Sequence, residues 1–305
     1  MIMRNLKEKN IISNYEIILV DDASSDNSIN SVLRENDAQD IVLFTLSRNF
    51  GVGECNFAGF NYARGDLVVY MDCDLQDPPE LIEKMLDEWR RHPGTDVVYT
   101  TRTKRKGESW AKLAITKFGY RLLRCISSVH LPPDSGDFKL LSRRVVDLLN
   151  RMPEARPYTR GLISWLGFRQ RQVFYEREER LDGRRNTKMP VLSGKVINYW
   201  LDSALISFTD LPLKAILLVG MLISFLSMSY LGVVAFQKIM GWYVPGWPAL
   251  MAAILFLGGV QIFLVGVVGL YVGAIFRQTK NRPLYIVDKI FGKSPLPERG
   301  DAPLI

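Results

Sequence analysis

Histidine and cysteine are scarce in this chain. Among its 305 residues there are two histidines, His92 and His130, and three cysteines. The histidines stand far apart, so the sequence predicts neither a catalytic histidine dyad nor a histidine-bound metal. Cys55, Cys73 and Cys125 are odd in number and show no paired spacing, which argues against a disulfide framework or a zinc site and fits a reducing compartment.

Charged residues are missing from two long segments near the C-terminus. No Asp, Glu, Lys or Arg occurs in residues 215–236 or in residues 239–276. A helix needs about 20 apolar residues to cross a bilayer core of about 30 Å, and core helices of soluble proteins usually keep a polar face. The sequence therefore predicts two transmembrane helices within residues 213–276.

An apolar signal sequence is also missing, because the first residues, MIMRNLKEKNIISN, are too polar for one. Basic residues flank the two spans, whereas the loop between them carries only Lys238. The positive-inside rule then predicts a multi-pass protein of the inner (cytoplasmic) membrane with both termini in the cytoplasm. The expected parts are a cytoplasmic domain (1–193), an amphipathic juxtamembrane helix (194–212), the two spans (213–276) and a cytoplasmic tail (277–305).

The net charge of +7 points to an acidic partner such as nucleic acid, anionic lipid or a phosphorylated substrate. Lys and Arg concentrate in residues 102–195. Within that region, residues 109–129 interleave apolar and basic side chains, as in a helix on a membrane surface or an ordinary helix packed on a sheet. A nucleic-acid binder would explain the charge but not the spans, so no nucleic-acid partner is expected.

Short apolar runs alternate with helix-like segments in the N-terminal part. Strands are predicted at 15–20, 41–46, 66–71 and 96–100, and helices at 27–35, 52–63 and 78–91. This alternation predicts an α/β domain with a mostly parallel sheet. Ligands bind such sheets at the carboxyl ends of the strands, and acidic turns follow the first and third predicted strands.

The acidic turn after the third strand reads VVYMDCDLQDPPE. If the strand continues far enough, Asp72 and Asp74 leave it on one face. Two carboxylates there suit Mg²⁺ or Mn²⁺, which prefer oxygen ligands. An acid/base pair and a solvated turn are the alternatives.

The acidic turn after the first strand reads VDDASSDNS. Asp26 or Ser28 is expected to cap the following helix. Capping the helix does not require two further carboxylates at the end of the strand. Asp21 and Asp22 could therefore accept hydrogen bonds from a ribose or a base. Arg48 precedes a glycine-containing stretch that completes no phosphate-binding motif, which leaves a phosphate contact and a salt bridge equally open.

Several stretches resemble the family 2 glycosyltransferases, and in particular the bacterial polyprenyl-phosphate (bactoprenol) glucosyltransferases and dolichol-phosphate mannose synthase. They include YEIILVDDASSDNS, GDLVVYMDCDLQDPPELI, GDFKLLSRRVVDLL and, after the two spans, RQTKNRPLYIVDKI. The resemblance runs from about residue 15 to residue 291 and implies a GT-A-type (Rossmann-like) domain followed by two transmembrane helices. It also implies an inverting transfer from a nucleotide sugar that depends on a divalent cation.

The resemblance assigns roles to individual residues. It implies Asp72, Asp74 and Gln76 for the metal; Asp74 and Asp137 for catalysis; Asp21, Asp22, Ser24 and Arg102 for the donor; and Arg180, Thr187 and Lys188 for the acceptor phosphate. Arg48 is added to the expected donor site because of the phosphate contact that its position leaves open. The expected donor is UDP-glucose and the expected acceptor is a membrane polyprenyl phosphate. The product would be a lipid-linked sugar for envelope glycan modification, for example of O-antigen.

The expected chemistry needs no histidine. A phosphate monoester has its second pKa near 6 and is largely ionised at pH 7, so it needs no strong base. The greater cost is the negative charge on the leaving diphosphate, which a cation offsets.

The chain departs from the family pattern in three places. The family's first apolar strand is not found, so we expect a missing first strand, and a truncated, inactive membrane-bound interaction partner is the alternative function. Residues 184–186 interrupt the acceptor-phosphate element. Ala23 replaces the usual glycine of the first acidic turn, a mild change only if its φ is negative.

Two further expectations concern assembly. A processive polysaccharide synthase is disfavoured, because two spans are few for a channel and no Q-x-x-R-W pattern occurs. Small residues within the second span could pack helices closely, and a homo-oligomer is expected; they are Gly258, Gly259, Gly266, Gly269 and Gly273.

Overall fold

A computed structural model describes residues 1–35, 40–74, 76–102, 135–175, 211–242 and 246–296. The chain divides into two compact units. The first unit comprises Met1–Ala204 together with Asn281–Ile305, and the second comprises Leu205–Lys280.

The first unit contains helices and strands in alternation. Its described helices are α1 (Ile2–Glu8), α2 (Ser28–Glu35), α3 (Val52–Tyr62), α4 (Leu81–Arg91), α5 (Arg143–Asn150) and α6 (Thr159–Trp165). Its described strands are β1 (Ile17–Asp21), β2 (Ile41–Leu46), β3 (Leu67–Tyr70), β4 (Val97–Arg102), β5 (Ser135–Ser142), β6 (Gln170–Tyr175) and β7 (Val287–Phe291). The four predicted strands and three predicted helices are confirmed, with small shifts of their ends.

The strands form two mixed sheets, ordered β1-β2-β7 and β3-β5-β4-β6. Only β1 with β2 and β4 with β6 pair in parallel; β7 runs antiparallel to β2, and β5 runs antiparallel to both β3 and β4. The prediction of a mostly parallel sheet is therefore wrong. The antiparallel pairings come from β5 and β7, two segments that the sequence pattern did not identify as strands.

A hydrophobic core lies where α1 and α4 pack on the second sheet. Leu6 of α1, Met85 of α4, and Phe138 and Leu140 of β5 are almost completely buried. Burying each such side chain contributes about 1.5–3 kcal/mol. This core holds β5 rigidly between β3 and β4, and β5 carries one of the predicted site residues.

The segment after the second unit returns to the first sheet through β7. Its backbone and side chains make several hydrogen bonds there: Ser47 N donates to Ile286 O at 3.0 Å, and Arg64 Nη1 donates to Leu296 O at 2.8 Å. Asn61 Nδ2 also donates to Tyr285 Oη at 2.8 Å. Residues that the sequence analysis treated as a tail thus form part of the first unit.

The second unit contains two long helices, α7 (Leu211–Ile239) and α8 (Trp247–Thr279). Both expose large apolar side chains, including Phe225 and Ile262. Among the described residues, one helical segment, Phe256–Thr279, is long and apolar enough to cross a membrane. Of the two predicted spans, one thus meets this criterion of length and composition, whereas α7 does not meet it over its described part.

Candidate active site

The first acidic turn follows β1 and organises the backbone around itself. Asp21 Oδ2 accepts a hydrogen bond from Ser24 N at 3.0 Å. Asp26 Oδ1 accepts one from Ser28 N at 3.0 Å, which confirms the predicted cap at the start of α2. Asp21 and Ser24 thus hold the turn in shape at the carboxyl end of a strand.

Asp22 ties this turn to the loop before α3. Its two carboxylate oxygens accept hydrogen bonds from Phe50 N at 2.7 Å and Gly51 N at 2.9 Å. Gly51 has a φ of +126°, a conformation that side-chain-bearing residues rarely adopt. Asp22 therefore has a clear structural role, and its contact with a donor stays a prediction.

Ala23 has a φ of +56°. For a residue with a Cβ, this left-handed region costs roughly 1–2 kcal/mol. The replacement of the usual glycine is therefore not mild, because the required negative φ is not found.

Arg48 lies over the ring of Phe50, with its guanidinium carbon 4.0 Å from the ring centroid. The sequence left a phosphate contact and a salt bridge open for Arg48. The contact found here is of a third kind, a cation–π interaction. Nearby, burial and the charge of Asp22 raise the pKa of the Cys55 thiol to about 12. Cys55 is consequently protonated at neutral pH and is no nucleophile.

The second acidic turn begins where β3 ends, at Tyr70. Because the strand stops there, its alternation does not extend to Asp72 and Asp74, and the predicted sharing of one strand face is wrong. Instead, Asp74 lies in a tight turn in which its Oδ1 accepts a hydrogen bond from Gln76 N at 3.1 Å.

Asp72 lies in a half-buried position among other carboxylates. Burial raises its pKa most, and the charges of Asp137, Asp74 and Asp77 raise it further, while Arg160 opposes them. Like charges held this close repel each other, so a cation at the turn would relieve the repulsion.

The residues of this turn fit part of a divalent-cation site. Two carboxylates and the side-chain amide oxygen of Gln76 are hard oxygen donors of the kind that Mg²⁺ and Mn²⁺ take. Over the described ranges, no group of three or more His, Cys, Asp or Glu side chains could hold a metal ion. The protein would thus supply part of the shell, leaving positions for water or phosphate oxygens.

Arg160 of α6 pairs with Asp137 of β5. Arg160 Nε donates to Asp137 Oδ1 at 2.5 Å, and Nη2 donates to Oδ2. Such a two-point pair fixes the orientation of both groups. The sequence analysis identified Asp137 but missed Arg160, because the two residues meet only in the tertiary structure.

Like Arg160, Lys139 is a basic residue of this region that was not predicted from the sequence. It lies opposite both Tyr70 and Tyr99 in the strand register and is only 1% exposed. Burial and the charge of Arg160 lower its pKa to about 7, while Asp137 opposes them. The spacing of Asp137 and Lys139, two residues apart in a strand, was the available signal, since alternate residues share a face.

Tyr70 completes this face beside Asp137. Its hydroxyl is buried and makes no hydrogen bond within the described part of the chain. Burial and the charges of Asp137 and Asp72 raise its pKa, while Arg160 opposes them. One strand face therefore carries hydroxyl, carboxylate and ammonium groups close together.

The segment that leads into α6 packs against the start of α3. Gly53 at the start of α3 approaches Pro157 so closely that a Cβ there would lie 2.6 Å from the Pro157 oxygen. Asn56 Nδ2 donates to Thr159 Oγ1 at 3.5 Å. α3 begins beside the first turn and α6 carries Arg160 to the second, so the structure brings both turns to one region.

The remaining predicted site residues are less defined. The backbone places Arg102 at the end of β4, opposite Tyr175 of β6. Arg180, Thr187 and Lys188 lie outside the described residues. The same holds for the predicted helix over 109–129 and for nearly all of the juxtamembrane segment 194–212.

Comparison with known proteins identifies relatives along most of the chain. The profile of glycosyl transferase family 2 matches residues 3–149. An uncharacterised glycosyltransferase of Synechocystis sp. is 40% identical over 285 residues, covering 93% of this chain and 87% of that protein. The bactoprenol glucosyl transferase of Shigella phage SfII is 34% identical over 284 residues, covering 92% and 89% respectively.

A prophage bactoprenol glucosyl transferase homolog of Escherichia coli (strain K12) is 33% identical over 292 residues, covering 94% of this chain and 93% of that protein. Among solved structures, glucosyl-3-phosphoglycerate synthase from Mycobacterium tuberculosis gives a TM-score of 0.36 at 19% identity, covering 64% of this chain and 72% of that one. A likeness of that size supports no argument about the site.

Proposed function

The chain belongs to glycosyltransferase family 2, and we propose that it transfers glucose from UDP-glucose to a membrane polyprenyl phosphate. The product would be a lipid-linked glucose for envelope glycan modification, such as that of O-antigen. The observation that carries the proposal is the crowded carboxylate turn after β3, which lies beside the Asp137–Arg160 pair. The likeness to bactoprenol glucosyl transferases over most of the chain supports the choice of sugar and acceptor.

The donor would bind across the two acidic turns. Asp21, Asp22 and Ser24 would face the nucleoside, and Arg48 and Arg102 would lie near the phosphates. Asp72, Asp74 and Gln76 would hold Mg²⁺ or Mn²⁺, which supplies positive charge to the diphosphate. The raised pKa of Asp72 supports this assignment, because a carboxylate crowded by like charges gains most from a neighbouring cation.

The acceptor phosphate would approach on the side of β5 and α6. One of its oxygens would form a bond to the anomeric carbon while the bond from that carbon to the donor diphosphate breaks, which inverts the anomeric configuration and releases UDP. The phosphate is already ionised at neutral pH, so Asp137, held in place by Arg160, need not remove a proton. Arg160 would provide positive charge where two anionic phosphates meet. Lys139, whose pKa is lowered to about 7, would be favoured in its protonated form by the negative charge of those phosphates.

The membrane location would follow from the second unit. Phe256–Thr279 supports one span, and we propose α7 as the other, with both termini in the cytoplasm. The first unit contains chain from both sides of α7 and α8, so it would be tied to the membrane at both ends of this helix pair. A lipid acceptor suits an enzyme anchored in this way.

The test is transfer of radiolabelled glucose from UDP-glucose to undecaprenyl phosphate in detergent, with Mn²⁺, with Mg²⁺ and with EDTA. We expect transfer that requires the metal and falls by at least about 100-fold in Asp74→Ala, since removing one transition-state charge stabiliser typically costs that much. Asp147→Ala is the matched control. Its half-exposed carboxylate pairs with Arg143 at 3.5 Å on the surface, where such pairs contribute little.

Two outcomes would contradict the proposal. Transfer that does not depend on a metal would show that Asp72 and Asp74 do not hold a cation required for the reaction. A folded chain that transfers no sugar from UDP-glucose or other nucleotide sugars would favour the alternative, an inactive membrane-bound interaction partner.

A further inference from the structure

Asp77 is a buried carboxylate that the proposed transfer does not use. It is 0% exposed, and it accepts a hydrogen bond from the hydroxyl of Tyr175. Tyr175 is itself 6% exposed and belongs to the hydrophobic core. Removing an ionisable group from water costs several kcal/mol unless it is paired, and the bond from Tyr175 is one of the contacts that offset this cost for Asp77.

The bond connects two distant parts of the second sheet. Asp77 ends the acidic turn that leaves β3, whereas Tyr175 ends β6. β5 and β4 lie between these two strands, and neighbouring strands are about 4.8 Å apart. The acidic turn therefore extends along the carboxyl edge of the sheet. At its far end, Asp77 is hydrogen-bonded to Tyr175 of β6.

The hydrogen bonds recorded along this turn are mostly local. Its local hydrogen bond runs from Gln76 N to Asp74 Oδ1. The next backbone bonds, from Leu81 N to Pro78 O and from Ile82 N to Pro79 O, already belong to the start of α4. The bond from Tyr175 to Asp77 is different in kind, because it attaches the turn to a strand 98 positions further along the chain.

We propose that Asp77 and Tyr175 are a positioning pair that holds the acidic turn in the conformation in which Asp72 and Asp74 present their oxygens to a divalent cation. The proposal rests on the assignment of a cation to this turn under the proposed function. Neither Asp77 nor Tyr175 touches the cation in this scheme. They act by keeping mutually repelling carboxylates in place before the ion arrives.

The physical reason is preorganisation. Asp72 and Asp74 repel each other, so a turn released from β6 would relax until its carboxylates separate. Cation binding would then have to bring the two carboxylates back together. The free energy needed for this rearrangement would weaken the binding of the cation. Groups that orient metal ligands in this way typically change metal affinity by about 10–100-fold when they are removed.

The test is Mn²⁺ binding to the full-length protein in detergent, measured from the electron paramagnetic resonance signal of the free ion with and without UDP. Tyr175→Phe removes only the hydroxyl and should weaken Mn²⁺ binding by about 10-fold or more. Asp77→Asn keeps an oxygen that can accept the Tyr175 bond, and an affinity between those of the wild type and Tyr175→Phe is expected.

Tyr15→Phe is the matched control. The Tyr15 hydroxyl donates to Asp40 Oδ2 at 2.7 Å, and the side chain is 8% exposed. This variant loses the same kind of tyrosine–carboxylate bond before β1, so it should lower the melting temperature without changing Mn²⁺ affinity. A merely structural role for Tyr175 would give the same pattern as Tyr15.

Three results separate this inference from the proposed function. If Tyr175→Phe melts earlier but binds Mn²⁺ as tightly as the wild type, the positioning role is wrong even when transfer is observed. If the wild type binds no Mn²⁺ with or without UDP, the positioning role is likewise wrong. If Mn²⁺ binding weakens in Tyr175→Phe while the wild type transfers no sugar, the inference holds and the transferase proposal fails.

Discussion

Ala23 illustrates how one residue can carry a conformational cost next to a binding site. The first acidic turn needs a positive φ at this position, because the chain must reverse between Asp21 and the start of α2 while Asp21 holds Ser24. Glycine meets that need without a Cβ clash, whereas alanine does not.

We predict that Ala23→Gly stabilises the protein by about 0.5–1 kcal/mol, since relief of the left-handed conformation outweighs the added freedom of the unfolded chain. The measurement is thermal unfolding in detergent. Ala63→Gly is the control, because Ala63 has a φ of −65°, where glycine only adds unfolded-state entropy. A loss of stability in both variants would show that the positive φ of Ala23 is not costly.

At the same scale, the sequence identified the acidic residues but not their partners. Asp72, Asp74 and Asp137 were predicted from motifs and resemblance, and the structure places them in one region. Arg160 and Lys139 were not predicted, although they determine the charge of that region. Arg160 lies in a short helix and has no local signature that separates it from a surface residue, whereas the only local sign of Lys139 was its spacing of two from Asp137.

Among the elements, β7 shows how a segment far along the chain completes the first sheet. It pairs with β2 and is followed directly by Gly292, whose φ is +84°. A Cβ at Gly292 would lie 2.3 Å from the Ile41 oxygen. The chain can leave the sheet here only because this residue has no side chain.

We predict that Gly292→Ala destabilises the first unit by more than about 2 kcal/mol, because strain at the positive φ adds to the backbone clash. Gly94→Ala is the matched control. Gly94 has nearly the same φ, +82°, but the nearest atom to its Cβ would be Arg169 Nη1 at 3.7 Å. Its cost should stay near the roughly 1–2 kcal/mol of the backbone conformation alone.

The comparison uses thermal unfolding together with limited proteolysis, which should cut the C-terminal segment of Gly292→Ala faster than that of Gly94→Ala. Equal losses in the two variants would mean that the close approach to Ile41 does not constrain β7.

The whole molecule combines a unit that has a buried hydrophobic core with a unit whose long helices expose apolar side chains. The first unit buries its apolar side chains between sheets and helices, whereas the helix segment Phe256–Thr279 buries none of its most apolar window. Apolar side chains exposed along a segment of this length are stable in lipid rather than in water.

We predict that Val268→Arg, near the middle of Phe256–Thr279, disfavours membrane insertion by about 2.5–3.5 kcal/mol. The measurement is insertion of the tagged protein into membranes, followed by glycosylation of the tag. Ile275→Arg is the control, because an arginine close to the helix end can extend to the interface at a much smaller cost. Equal insertion of wild type and Val268→Arg would contradict a membrane-spanning role.

The sequence by itself determined the elements and motifs whose cause is local. Strand and helix periodicity, the cap at Asp26, the acidic turns and the apolar span depend on residues within a few positions of each other. That is why the predicted strands 41–46 and 96–100 agree closely with β2 and β4, and why the motifs identified the family.

The tertiary structure alone decided which distant residues meet. Asp137 and Arg160 are 23 positions apart, and Asp77 and Tyr175 are 98 apart. The antiparallel pairing of β5 with β3 and β4, and that of β7 with β2, also join segments that are distant in the sequence. Their free energy comes from contacts that form only when the whole unit folds, so no local pattern in the sequence records them.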